Sequence, residues 1–313
     1  MEIMKNTISN ETFSILLKVV AIVIASLVVT LPLYAQDEGE EAPATEEKKK
    51  PRPARDAFES GEWFDGKSGK VYNKGTLEMV MNHRFGLVNG GNNDLFGIYG
   101  AASNIRIGFS YAPINRLNIG FGYTKNSFSL DLTAKYMILQ QTRGNEMPLS
   151  ITYYGNMGVE TKTQKQQNYL NSTDRLSFFN QIILMRRFSS KFSMQIAPSL
   201  THFNAVYWEQ QEDGEWKTQE NDTYGISAGL RYKITSTFVI MAGYDQPLTQ
   251  HDINQPKPSI NFGVELVTSS HAFQIFATNY NGINPQYDYM FNQNDFGNGD
   301  FLIAVSYTHL RAH

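Results

Sequence analysis

Leu117-Asn118-Ile119-Gly120-Phe121-Gly122-Tyr123 alternates large apolar residues with asparagine and glycine. Leu117, Ile119, Phe121 and Tyr123 fall on one face of an extended chain. Asn118, Gly120 and Gly122 fall on the other, the period-two signature of a strand with one apolar face. The pattern recurs twelve times, over 76–85, 104–111, 117–124, 128–138, 149–160, 175–188, 192–203, 224–233, 238–244, 260–267, 272–279 and 301–307. The segment 175–188 alternates least cleanly. Such repetition predicts an all-β chain of about twelve antiparallel strands.

The connections alternate too. Short turns at 112–116, 189–191, 235–237 and 268–271 separate long polar connections at 86–103, 161–174, 207–223, 246–259 and 280–300. This is the layout of a transmembrane β-barrel with short periplasmic turns and long outer loops. Two connections depart from it: 125–127 is short where a long loop is due, and 140–148 exceeds a tight turn. A soluble sandwich shares the strand alternation, but the strand lengths and the loop alternation favour a spanning barrel, which must close because lipid satisfies no edge strand.

Ahead of the strands, Lys18 precedes an apolar run over 19–31, followed by Pro32, Tyr34, Ala35 and Gln36. This reads as a secretory signal over 1–35 cleaved after Ala35, with an uncleaved anchor as the alternative. Residues 36–72 begin Glu-, Lys- and Pro-rich, which predicts a flexible periplasmic leader. Within it, Trp63 and Phe64 point to a stretch that tucks against or into the barrel mouth. The barrel itself is assigned to 73–313, and the even strand number puts both its ends in the periplasm.

Composition narrows the functional classes. The 313 residues carry a formal net charge of -3, so no basic footprint for nucleic acid is present. The sequence has no cysteine, which excludes disulfides, thiolate metal sites and a cysteine nucleophile. Histidines 83, 202, 251, 271, 309 and 313 show no close ligand spacing, so no metal site, cofactor or catalytic set is assigned, although His83 and His202 lie on strands that could approach across a barrel. No Gly-x-Ser-x-Gly elbow or phospholipase-like Ser-His-Asn set appears, so an enzyme is disfavoured. Gly120-Phe121-Gly122 precedes no helix and is a strand relieving crowding, not a nucleotide loop.

The polar faces carry Glu78, Arg84, Arg106, Asp131, Lys135, Arg231 and Glu265, the candidate lumen-lining residues. They make either a selective constriction or an ion-pair network that fills a closed lumen. The long final loop is crowded with Tyr287, Tyr289, Phe291, Asn292 and Phe296, which predicts an ordered cap or inward plug. The loop over 207–223 sets Trp208 and Trp216 among Glu209, Glu212, Asp213 and Glu215. It suits a partner-binding tip or a place among lipopolysaccharide headgroups, and the residues do not choose.

Several stretches resemble a known family: Asn82-His83-Arg84-Phe85-Gly86, Asp94-Leu95-Phe96-Gly97, Ser103-Asn104-Ile105-Arg106-Ile107-Gly108, Tyr244-Asp245-Gln246-Pro247-Leu248 and His271-Ala272-Phe273-Gln274-Ile275-Phe276. More specific are Gly282-Ile283-Asn284-Pro285-Gln286 and Tyr289-Met290-Phe291-Asn292-Gln293-Asn294-Asp295-Phe296. Together they resemble a Bacteroidota-type β-barrel family of unknown function (domain of unknown function 5777), over about 58–303. The resemblance implies a Gram-negative outer-membrane barrel and supplies no activity. Tyr307-Thr308-His309-Leu310-Arg311-Ala312-His313 departs from the complete aromatic-ended strand expected there and resembles adapter read-through. The last strand is therefore expected to be altered after about Ala304, with closure damaged. The expected function is a narrow or gated porin-like channel for small hydrophilic solutes, in contact with outer-membrane lipids and the outer-membrane assembly machinery. The alternative is a closed barrel acting as a surface-binding or structural module through its loops.

Overall fold

The computed structural model describes residues 51–64, 66–99, 103–162 and 169–311. The expected signal peptide and the first part of the expected leader lie outside them. Twelve strands form one closed antiparallel barrel: β1 (Leu77–Leu87), β2 (Asn104–Ile114), β3 (Leu117–Thr124), β4 (Ser129–Leu139), β5 (Ser150–Glu160), β6 (Leu176–Arg187), β7 (Phe192–Phe203), β8 (Asp222–Lys233), β9 (Phe238–Pro247), β10 (Ser259–Val267), β11 (His271–Thr278) and β12 (Leu302–Arg311). Each pairs with its sequence neighbours, and β12 returns to β1.

Burial follows the alternation read from the sequence. Ile119, Phe121 and Tyr123 are exposed on the outer wall, while Asn118 is buried inside. An outer surface set with Ile105, Ile107, Phe109, Leu130, Leu132 and Phe262 would be an aggregation liability in water. It is the lipid-facing band of a membrane barrel. Strands of 8 to 12 residues are long enough to span when tilted.

The final strand corrects one expectation. Pairing runs on past Ala304 to Arg311, with Tyr307 opposite both Phe273 and Met81, so the barrel closes along its whole last strand. The physical reason is that the alternation persists there, with Ser306 and Thr308 buried inside. A register shift between Leu302 and Ala304 is the one irregularity of that seam.

The short connections gather at one rim, the turn end, and the long ones at the other, the loop end. The connection after β3 is a brief 3-10 turn at Asn126–Phe128, and the longer one after β4 is tied by the Pro53–Thr142 bridge. The chain approaches β1 from the turn end. In the stretch placed by composition in the flexible leader, but whose aromatics point to the barrel mouth, Ala57, Phe58, Trp63, Phe64 and Tyr72 are all buried, and the described residues of 57–72 fold inside the barrel. A two-residue ladder, Glu62–Trp63 against Gly66–Lys67, gives this segment its shape. From the loop end, the connection between β11 and β12 folds inward around a short helix, α1 (Pro285–Phe291), with Pro285 at its first turn.

Candidate functional site

The lumen is the candidate site, and its two fillings meet the wall at different depths. On the inner face of β8, a Cβ added at Gly225 would lie 2.3 Å from the Tyr289 ring, and one at Gly229 would lie 2.7 Å from the Trp63 ring. The loop segment therefore occupies the loop-end half and the N-terminal segment the turn-end half. Each glycine is a notch for an aromatic ring. Gly229→Leu is expected to displace Trp63 and expose Lys67 and Lys70 to trypsin in otherwise folded barrels. Unchanged protection would mean that the notch does not seat the segment.

The N-terminal segment rests on a small apolar cluster and a larger set of hydrogen bonds. Phe58, Trp63 and Phe64 pack with Met137, Met185, Val239, Met241 and Phe276. Wall side chains then reach the segment's backbone. Lys135 Nζ donates to the carbonyls of Gly61 (3.0 Å) and Lys70 (3.2 Å), Thr152 to Gly69 (2.8 Å), Gln195 to Lys67 (3.1 Å) and Arg187 to Asp56 (3.1 Å). Gln274 binds Glu62 O and receives the Phe64 N–H, Asn118 receives the Tyr72 N–H, and Arg84 reaches Phe64 O at 3.5 Å. The Tyr72 hydroxyl donates to Glu78 at 2.7 Å. Burial, then the Glu78 carboxylate, push that hydroxyl well above the usual tyrosine range, so it stays a donor.

The loop segment is held in the same way. Gln286 donates to Asn156 (2.9 Å), Tyr287 to Glu160 (2.8 Å), Tyr289 to Asp245 (3.1 Å), and Ser259 to Asp288 (2.5 Å). Tyr289 stacks on Phe179, and Phe291 meets Phe203 edge-on. His251, from the neighbouring loop, accepts the Glu220 N–H on Nδ1 at 2.9 Å. Its Nε2–H therefore points to the Thr223 hydroxyl, which donates to Met290 Sδ. Burial holds this imidazole below the ordinary histidine value of 6.5, against the pull of Glu220 and Asp252. A histidine lowered in the folded state contributes fully above its unfolded value and loses that contribution as the pH falls below it. Intrinsic-rate-corrected exchange protection of α1 should thus weaken from about pH 7.5 to about pH 5, and His251→Gln should abolish the step.

All seven charged lumen candidates are buried. Arg106 binds Asp131 through two hydrogen bonds, 2.9 and 2.6 Å. Gly122 makes room for it: a Cβ there would lie 2.3 Å from Arg106 Nη2. Arg231 approaches Glu265 at 3.4 Å, and the Arg84 guanidinium lies 4.9 Å over the Phe276 ring. Glu78, Arg106 and Lys135 border a cavity of about 30 Å³ together with Glu62, Lys67, Tyr72, Asn118 and Tyr154. That is room for one or two waters. A wider cavity of about 540 Å³ lies at the turn end, lined by Asp56, Lys70, Tyr72, Asn115, Gln140 and Ser270.

Of the loop candidates, Tyr287, Tyr289, Phe291 and Asn292 belong to the inserted loop segment, while Phe296 lies apart, exposed and against Phe301. His83 and His202 do not approach across the lumen. His83 packs on Phe85, and His202 binds Asp222 and Asn204, both on outward positions of their strands. Trp208 and Trp216 form a ring pair, 66% and 61% exposed, on a small hairpin. Sequence reasoning missed Glu59 and Glu62, which look like ordinary leader charges. The signal beside them was the aromatic density of Phe58, Trp63, Phe64 and Tyr72.

A family model described as a membrane bound beta barrel domain (DUF5777) matches residues 58–306. The chain belongs to that family. The family's domain begins at Phe58, so it includes the inserted N-terminal segment as well as the barrel. No curated protein matches the chain. Solved structures that resemble this family member include the NanC porin, with 10% identity over 76% of this chain and 99% of that one and a TM-score of 0.44. An outer membrane channel from Pseudomonas putida F1 has 11% identity over 77% and 97%, TM-score 0.47. The KdgM porin has 9% identity over 76% and 99%, TM-score 0.42.

Proposed function

We propose that this protein is a gated channel of the outer membrane for small hydrophilic solutes, held closed by two inserted segments of its own chain. One observation carries the reading. Side chains from six of the twelve strands end on the backbone of the N-terminal segment, through hydrogen bonds that water or solute can replace. A wall built only to fill a lumen has no need of so many polar groups, since apolar packing avoids their desolvation cost. The segment runs into β1 at the turn end and pairs with no barrel strand, so it can leave by that end without disturbing the strand ladder.

In this reading the turn end faces the periplasm. A cleaved signal peptide exports the chain across the inner membrane, and the outer-membrane assembly machinery inserts it among outer-membrane lipids. A closed barrel working through its loops is the competing reading, favoured by the exposed Trp208–Trp216 pair. Planar-bilayer recording separates the two. Folding is first checked by heat-modifiable gel mobility. Steady current steps from barrels freed of both segments support the channel; silence from such folded barrels transfers the function to the loops.

A further inference from the structure

We propose that Arg231 and Lys233 form an oxyanion-binding site in the lumen, occupied in the closed state by the Glu59 carboxylate, and that the solutes of this channel are small anions. The proposal rests on the channel reading and names its solute class.

The geometry is that of a site with a temporary occupant. One carboxylate oxygen, Glu59 Oε1, is shared between Lys233 Nζ, in close contact, and Arg231 Nη2 at 3.6 Å. The Arg231 side chain is 4% exposed, and its other carboxylate contact, Glu265 Oε2, is 3.4 Å away. Both distances exceed the roughly 2.7–2.9 Å of a good charge-assisted hydrogen bond. Arg231 Nε is buried with no hydrogen-bond partner. Glu265 cannot supply one easily, because its other oxygen already accepts from Gln274 at 3.0 Å. A buried guanidinium with an unfilled fork suits a ligand that offers several oxygens together, which Glu59 does not.

The surrounding charge has the same sign. In the turn-end half, the wall presents Lys135, Arg187, Arg231 and Lys233 against Glu78 and Glu265. The inserted segment sets the Glu59 carboxylate against this wall, while its Glu62 is paired with its own Lys67. Burial alone would raise the Glu59 carboxyl, but the Lys233 hydrogen bond and the Arg231 charge outweigh it and hold it below its ordinary value. Withdrawing the segment therefore leaves an electropositive ring at the turn end. In the closed state Lys70, on the inserted segment itself, donates to the Glu59 carbonyl at 2.7 Å and lines the cavity of about 540 Å³ at that end.

A tethered occupant competes with free ligand at a high local concentration, so removing its charge should unmask the site. The test uses the full chain folded in detergent and inorganic phosphate as the probe, titrated by calorimetry and followed by 31P NMR. Glu59→Gln should bind phosphate at least about tenfold more tightly than the unaltered protein. Adding Lys233→Gln, a change at a partly exposed side chain of the lumen wall, should remove the gain, and Arg231→Gln should do the same where heat-modifiable mobility shows a folded barrel. Equal phosphate affinity with and without Glu59→Gln would overturn the site. Recording from segment-released barrels in a KCl gradient separates this from the channel reading. Anion preference lost on Lys233→Gln supports the proposal, and current without anion preference overturns it. Phosphate binding by folded barrels that never conduct would keep the site and remove the channel.

Discussion

Deleting both 54–72 and 280–299 turns a silent barrel into an ohmic pore, while either deletion alone leaves it closed. The expectation follows from the stacking of the two segments along β8, with Tyr289 at Gly225 and Trp63 at Gly229. Two obstructions in series must both leave before ions pass. The strands should survive the loss, because every barrel strand is paired on both sides and β1 needs only β2 and β12. A short Gly/Ser linker suffices between β11 and β12, which are adjacent antiparallel neighbours. Planar-bilayer recordings on the four proteins are the measurement. Conduction after a single deletion would place the segments side by side instead of in series. Silence after both deletions, from protein with normal heat-modifiable mobility, would end the gated-channel reading.

Arg106→Ala should destabilise the barrel by about 3–5 kcal/mol, because it strands the Asp131 carboxylate in the lumen wall. Asp131 is fully buried, and its two oxygens take both hydrogen bonds of the Arg106 fork. Asn156 Nδ2, at 3.5 Å from Asp131, is too distant to replace them. Removing the pair together, as Arg106→Met with Asp131→Leu, should recover most of the loss, since an apolar pair of similar volume avoids desolvating two charges. Urea unfolding in lipid, followed to equilibrium in both directions, measures the three variants against the parent. A loss below about 1 kcal/mol for Arg106→Ala would mean that water reaches the pair, as it does in exposed ion pairs.

The same pair shows how far sequence reasoning reaches. Strand parity alone places Arg106 and Asp131 on the inner face, and it explains Gly122 only as relief of crowding. That they meet, and that Gly122 clears the guanidinium, depends on the register β2–β3–β4, in which Gly122 stands opposite both Gly108 and Asp131. Parity is local, fixed by the two-residue repeat of the pleat. Register is a property of neighbouring chains and leaves no mark within one strand.

The twelve strands, their inward and outward faces, the alternation of short and long connections and the ordering of the final loop, as a cap or an inward plug, are legible in the residues. Each arises from interactions within a few residues or from the simple requirement that apolar faces meet lipid. The N-terminal segment was not legible in the same way. Its Glu, Lys, Ser and Gly content reads as solvated leader by composition, and only its aromatics hinted otherwise. It folds because the inner wall supplies partners for its backbone and notches for its rings, from strands as distant in sequence as β4 and β11. Local sequence therefore determined the barrel. Tertiary structure decided what fills it, since a polar lumen closes only where groups far apart in the chain are brought within hydrogen-bonding distance.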